Sequence, residues 1–254
     1  MQFGGKDKTY TLVEVDSTNE YAKTLAQGGA PSGTVVRAQR QTKGKGTRNR
    51  TWVSPEGNVY WSGIIQAKDI GAARFSDLVY VNALAVYHTI AQYTDESQIA
   101  IKWPNDMLFR EKKIAGSLLE CGAIDGRGKP GWIVIGTGIN AAVSPGTDPS
   151  MRYPPASLQE MGYAVSAEAL IAALQTHLSH QIADWLHQGF GALRAAYLAR
   201  AFKLHKEISL GLSPDKAEYV TGRYEGIDEN GHIILTCADT GIRKFHSGDV
   251  FLRS

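Results

Sequence analysis

KIAGSLLEC (Lys113–Cys121) and GWIVIGTGIN (Gly131–Asn140) are two apolar runs of strand length, joined by GAIDGRGKP, a linker of turn-forming residues. Bounded in this way they read as a pair of β-strands. Each carries glycine where a strand ordinarily wants a side chain. Gly116, in the first, suggests that something approaches the backbone closely; an edge lysine at Lys113 followed by a bulge glycine is the plainer account. The second ends in GTGIN (Gly136–Asn140), two glycines and an amide, which an ordinary turn also explains.

Working outward, YTLVEV (Tyr10–Val15) alternates and reads as a strand, and STNEYAKTLAQGG follows it as a helix closed by glycines. TVVRAQ (Thr34–Gln39) and NVYWSGII (Asn58–Ile65), the latter after the turn SPEG, read as further strands. Phe75–Tyr93 is apolar on most faces at helical spacing, which predicts a buried helix. IAIKW (Ile99–Trp103) is a short strand halted by Pro104. Ser144–Pro155, with four prolines, is a loop, and helices follow from about Ala167 to Phe202. Beyond His205 the texture changes. KEISLG, AEYVTGRYEGI, HIILTC, IRKFHSG and DVFLR are short alternating segments cut by DENG and ADTG, a small all-β unit of about 50 residues, barrel-like in pattern. The expected organisation is a mixed domain over residues 1–203 and a small β domain over 204–254.

Composition narrows the function classes. The chain has 254 residues and 43% apolar content, enough for a substantial core. A net charge of +2 gives no global attraction to nucleic acid or membrane, so any anion site is local. Two cysteines, Cys121 and Cys237, make no disulfide framework and suit a reducing compartment. MQFGGKDKTY has no apolar h-region, and no run approaches the roughly 20 residues that span a bilayer. A soluble cytoplasmic protein is expected.

The local charge sits in QTKGKGTRNRTW (Gln41–Trp52), with four cations, two glycines and no acid. Glycines let backbone N–H groups approach a ligand, lysine and arginine add charge, and Trp52 offers a face for a base. A solvated, charged hairpin loop explains the same composition, and the stretch is neither a Walker A loop nor a dinucleotide fingerprint. DSTNE (Asp16–Glu20) has capping-box spacing, Ser17 as N-cap and Glu20 three residues on. It also clusters short donors and acceptors at a helix N-terminus, which suits a neutral polar head group such as a urea. KWPND (Lys102–Asp106) makes a rigid corner at a strand end, either a plain Pro-Asn-Asp turn or a place for chemistry.

Taken in chain order, DSTN, QTKGKGTRNRTW, SPEGNVYWS, KWPND, KKIAGSLLE and GTGIN resemble the motifs of the biotin–protein ligase family. GIDENGHIIL in the tail is similar to that family's C-terminal SH3-like domain. The resemblance implies an α+β fold: a mixed β-sheet with flanking helices, of the class II aminoacyl-tRNA synthetase and biotin ligase kind, plus a small C-terminal SH3-like β-barrel. It implies that biotin and ATP, with Mg²⁺, form biotinyl-5′-AMP and pyrophosphate. The biotinyl group then passes to a lysine of a biotin carboxyl carrier domain of a carboxylase. Some members carry an N-terminal DNA-binding helix-turn-helix; the first strand here begins near residue 9, so a ligase-only form is expected. Members are monomers or dimers, which leaves a homodimer open.

Carried over by residue, Ser17, Thr18, Asn19 and Gln41 line the biotin end. The loop Gly44, Lys45, Gly46, Thr47, Arg48 and Arg50 closes over biotin and the phosphate, and Trp52 stacks on adenine. Lys102, Asn105 and Asn140 belong to the ATP and adenylate side. Lys113 meets the biotin carboxyl or α-phosphate, and Gly116 lets biotin lie against its strand. Lys113, Lys45 and Asp106 are the catalytic candidates, Asp106 as the group that orients the acceptor amine. One departure stands out: where the family usually has Gly-Arg-Gly-Arg, this chain has Gly44-Lys45-Gly46-Thr47, which implies looser retention of the adenylate. Three other readings compete: a lipoate or octanoate ligase, whose acid needs only an apolar channel; a nucleic-acid binder using the basic loop; and a ligand-binding module without catalysis.

Overall fold

The structure is a computed structural model and describes residues 1–146, 153–212 and 218–251. Its larger sheet is built from β1 (Thr9–Val15), β2 (Val35–Gln41), β3 (Val59–Gln66), β4 (Ile99–Lys102), β5 (Asp106–Phe109), β6 (Lys112–Cys121) and β7 (Trp132–Ile139). The strand order is β1-β2-β3-β7-β6-β5-β4. Only β1 and β2 run parallel, joined by the crossover helix α1 (Thr18–Gln27); every other pair is antiparallel. The long strands β6 and β7 sit near the centre, as their apolar sequences require.

Residues opposite one another across a ladder share a face of the sheet. Val36 faces Ser62, Ser62 faces Gly136, Tyr60 faces Gly138, and Gly138 faces Gly116. On this face α1 packs Ala22 and Ala26 onto Val36, Ile64 and Val134, and covers only part of it. The opposite face carries Trp61, Ile65, Ile133, Ile135 and Ile139 into the main core, against α2 (Leu78–Ala91) and α3 (Ala167–Leu198). Eleven of the fourteen residues of α2 are buried, as a helix apolar on most faces demands.

The α3 segment is broken at Gly189, whose φ of 76° and ψ of 179° are open only to glycine. An added Cβ there meets nothing within 4 Å. Gly189→Ala therefore isolates backbone strain: it is expected to cost about 1–3 kcal/mol, read as a lower thermal midpoint with no change in ligand affinity.

The C-terminal segment forms β8 (Glu207–Gly211), β9 (Tyr219–Ile227), β10 (Ile233–Cys237), β11 (Gly241–Phe245) and β12 (Asp249–Phe251). They make an antiparallel sheet in the order β11-β10-β9-β8-β12, and among the described residues no pairing joins β11 to β12 to close a barrel. Ile208, Leu210, Tyr224 and Ile227 join the same apolar core as α2 and α3. The turn between β9 and β10 is anchored on the larger sheet's side. Tyr80 donates to the Gly231 carbonyl, the Trp103 indole donates to Tyr80 at 3.1 Å, and Arg74 donates to Asn230 and to the Glu229 carbonyl. Part of the proline-rich loop expected at 144–155 lies outside the described residues.

The expectation at KWPND changes. DMLF (Asp106–Phe109) is a strand that the corner reading of KWPND did not foresee. The corner is a tight hairpin, so Lys102 and Asp106 become direct partners across β4 and β5. Both cysteines are free thiols, and no described helix is long and apolar enough to cross a membrane.

Candidate active site

The part of the sheet face that α1 leaves uncovered is a narrow cleft between the start of α1 and the strands β6 and β7, with the Trp52 ring lying in it. Its floor is backbone. Gly116 and Gly138 are opposite one another, and Gly136 follows on the same face of β7. A Cβ at Gly136 would lie 2.1 Å from the Asn19 side-chain oxygen, and one at Gly138 2.6 Å from the Trp52 indole. The glycines are therefore what allows a flat group to lie on the strands.

One end of the cleft is lined by the start of α1 and the end of β2. Ser17, Thr18 and Asn19 are all buried. The Gln41 carbonyl accepts from Thr18 N at 2.8 Å and from the Thr18 hydroxyl at 3.1 Å, while its amide donates to Ser54 at 2.9 Å. Asn19 donates to Glu120 at 2.9 Å, and Glu120 is paired with Lys23 at the same distance. The expected capping box does not form. Ser17 occupies the N-cap position, but its hydroxyl makes no cap bond and instead borders the cleft. Glu20 turns to Lys23 and Lys45, because two ammonium partners outbid one backbone N–H for a carboxylate. Those bonds hold the Glu20 carboxyl below its ordinary value.

At the other end stand Lys113, Asp106 and Lys102. Between β5 and β6 the register slips, so Met107 faces Ala115 and Leu108 faces Lys113, leaving Ile114 as the bulge residue. A bulge re-aims the residues before it. Here it brings Lys113 to the face of Gly116 and Asp106, with its ammonium 2.6 Å from one Asp106 oxygen. Lys102, 5% exposed in its side chain, holds the other oxygen at 2.9 Å. Burial by itself would raise the Asp106 carboxyl, but the two ammonium groups outweigh it and keep the group well below the usual carboxylate range.

The basic stretch is a closed hairpin, not an open loop. Trp52 N donates to the Gly44 carbonyl at 2.9 Å, Gly46 N to the Arg50 carbonyl at 2.7 Å, and Lys45 bridges to Thr51. Lys43 is tied to Asp16 and Lys45 to Glu20, so charge pins the hairpin beside α1. Lys45, Gly46 and Thr47 roof the cleft. Gly44 is indispensable for another reason: a Cβ there would lie 2.3 Å from the Trp52 carbonyl. Trp52 itself lies inside the cleft, against Gly116 and Gly138, with Lys113 5.4 Å from its ring and its indole N–H buried without a partner.

Of the residues singled out from sequence, Ser17, Thr18, Asn19, Gln41, Lys45, Gly46, Thr47, Trp52, Asp106, Lys113 and Gly116 border this one cleft. The others stand behind or beside it. Lys102 supports Asp106, and Asn105 donates to the Ser117 carbonyl. Asn140 is buried and donates to the Ala156 carbonyl at 3.1 Å, its own side-chain oxygen unpartnered. Arg50 folds back onto Thr47, and Arg48 sits at a left-handed φ of 57° within the hairpin. Sequence reasoning missed Gly136 and Gly138 as floor residues, along with Ser62, Tyr60 and Glu120. The period of two in G-T-G was the available signal for the glycines.

The cleft thus has hydroxyls and amides at one end, glycine backbone along its floor and the Lys113 ammonium at the other end. Residues 12–140 match the model of the biotin/lipoate A/B protein ligase family, and residues 206–253 that of the biotin protein ligase C-terminal domain. The chain belongs to the biotin/lipoate A/B protein ligase family. It is similar to a biotin–[acetyl-CoA-carboxylase] ligase from Paracoccus denitrificans, 36% identical over 230 residues, which are 88% of this chain and 92% of that protein. A biotin protein ligase from Aquifex aeolicus, solved in complex with biotin and ATP, matches at TM-score 0.79 and 26% identity over 98% of this chain and 99% of that one. The Leishmania major enzyme in complex with biotinyl-5-AMP matches at TM-score 0.66 and 25% identity, over 96% and 100% of the two chains.

Proposed function

We propose that this protein is a biotin–protein ligase, forming biotinyl-5′-AMP from biotin and ATP and passing the biotinyl group to a carrier lysine. The observation that carries the reading is the pairing, across one glycine floor, of a hydroxyl–amide head-group end with the Lys113–Asp106–Lys102 triad. Biotin's cyclic urea would sit among Ser17, Thr18, Asn19 and Gln41, its tail along Gly136, Gly138 and Gly116, and its carboxylate near Lys113. In the first step a carboxylate oxygen attacks the α-phosphorus of ATP and pyrophosphate leaves. Two anions must meet, and Lys113 and Lys45 offset their repulsion. ATP brings Mg²⁺ with it as substrate; among the described residues no cluster of three His, Cys, Asp or Glu offers a metal cage.

In the second step the acceptor amine attacks the acyl carbonyl and AMP leaves. Asp106, the shared partner of Lys102 and Lys113, would orient that amine, whose proton passes to solvent as the amide forms. It becomes available for this when Lys113 turns from it to the phosphate. Asn105, Asn140, Arg48 and Arg50 would complete the adenylate side by contacts that form on binding. Catalytic residues fall within 1–203, and 204–254 acts as a support through the Tyr80–Trp103–Gly231 contact. The acceptor we infer is the biotin carboxyl carrier domain of a carboxylase rather than DNA, in a reducing compartment such as the cytoplasm. The net charge of +2 and the two free thiols support this.

The test is ATP-dependent pyrophosphate release with biotin, lipoate or octanoate and no carrier. Release with biotin alone is expected; release with lipoate or octanoate would reassign the substrate within the family. Trp52 gives a second expectation. A ligand lying on Gly116 and Gly138 must displace its indole, so biotin should change tryptophan fluorescence in the wild type and much less in Trp52→Phe.

A further inference from the structure

The charged end of the cleft hangs on a short hairpin. β4 and β5 have four residues each, and β4 is the outermost strand of its sheet. Two strands of this length are marginal by themselves. Yet the tip between them carries Asn105, and Lys102 and Asp106 pair directly across it. Pro104, in the tip, brings no N–H with which to brace it.

Two buried phenols hold that tip from the core side. Tyr197 of α3 is fully buried and donates to the Pro104 carbonyl at 3.2 Å. Tyr80 of α2 accepts from the Trp103 indole at 3.1 Å and donates to the Gly231 carbonyl. The two phenol rings meet edge to face, with centroids 4.9 Å apart and planes at 88°. Burial raises the Tyr197 phenol well above its ordinary value, so it stays a donor at any working pH.

The seat of Tyr197 is fixed on the strand that leads into the hairpin. Ile101 N donates to the Arg200 carbonyl at 2.8 Å, and Phe202 N donates to the Ile101 carbonyl at 2.8 Å. This parallel bridge ties β4 to the residues just after α3. Tyr197 lies less than one helical turn before Arg200, so its hydroxyl reaches Pro104 from backbone already tied to Ile101. Phenylalanine would fill the same apolar space; what the hydroxyl adds is the bond to the tip.

We propose that Tyr197 is a positioning residue for the nucleotide side of the reaction: its hydroxyl fixes the Pro104 carbonyl, and through it the placement of Asn105 and of the Lys102–Asp106 pair opposite Lys113. Tyr197 does not border the cleft and touches no reacting atom. It acts on one end only, because the residues of the other end, Ser17 to Asn19 and Gln41, belong to α1 and β2 and have no bond to the hairpin tip. The inference rests on the biotin-ligase reading and adds to it a residue outside the cleft.

Tyr197→Phe keeps the ring and its contact with Tyr80 and removes the hydroxyl alone. In ATP-dependent pyrophosphate release with saturating biotin, its kcat/KM for ATP should fall about tenfold or more, since a small misplacement of a binding group costs rate steeply. Its affinity for biotin, measured by calorimetry without nucleotide, should stay at the wild-type value. Gly189→Ala, in the same α3, strains the helix without touching the tip and should leave kcat/KM for ATP unchanged. An unchanged kcat/KM for ATP in Tyr197→Phe overturns the proposal. So does an equal loss of biotin affinity, or the same fall in Gly189→Ala, either of which would mark a general loosening of the fold. Should Tyr197→Phe not fold, Tyr80→Phe, which strips the other hydroxyl from the same corner, is read in the same way. If the wild type activates biotin and the hydroxyl proves irrelevant, the proposal falls and the ligase reading stands; if the wild type activates no acid, both fall.

Discussion

Asp106→Ala should destabilise the protein by about 3 kcal/mol or more, one of the two largest effects expected of a single substitution here. The Asp106 carboxylate is the shared partner of two lysines, one of them almost wholly buried. Removing it leaves two ammonium groups facing each other across the hole, and taking away one member of a buried ion pair costs far more than the pair contributes. The measurement is urea denaturation at neutral pH; a loss under about 1 kcal/mol would show that the triad is solvated. The pH dependence follows from the direction of the shift. A carboxyl depressed on folding contributes stability that is fully present above its unfolded value, near 3.9, and is lost as pH falls through the lower folded value. From this group stability should therefore be flat between about pH 5 and 8, and the alanine variant should differ from the wild type by a constant amount across that window.

Lys113→Ala carries the second large effect, and it is on rate. Asp106 keeps Lys102, so the fold should survive with little change in thermal midpoint. The reacting phosphate, however, loses the one ammonium that the strand bulge aims into the cleft. Removing a preorganised charge partner from a developing anion typically costs 10²-fold or more. Single-turnover pyrophosphate release with saturating biotin reads this directly. Turnover within a few-fold of the wild type would remove Lys113 from the chemistry.

The two predictions treat neighbouring residues differently because the structure gives them different surroundings, and the sequence could not. KWPND and KKIAG were both visible as strand ends bearing charge. That Lys102 would be walled in and Lys113 left facing the cleft depends on the β4–β5 hairpin and on the slip at Ile114. The sequence suggested a bulge glycine at Gly116, but the extra residue is Ile114, because the place of a bulge is decided by how β5 and β6 close their hydrogen bonds. The capping box shows the reverse case. Its spacing was right and its N-cap position was right, yet Glu20 found two ammonium partners, one carried by a hairpin some 25 residues away, and the local bond lost.

Alternation, apolar spacing and turn residues were enough to place the strands of the larger sheet other than DMLF, the buried helix and the change of texture after His205, because periodicity is a property of consecutive residues. Motif order was enough to point to the family. The sequence also contained the floor glycines and Ser62, but not their meaning. Gly116, Gly136 and Gly138 become one surface only when β6 and β7 pair in register, and Ser62 meets Thr18 and Asn19 only when β3 lies beside them under the start of α1. Local propensity writes the elements; which side chains face one another is settled by the register in which the strands pair.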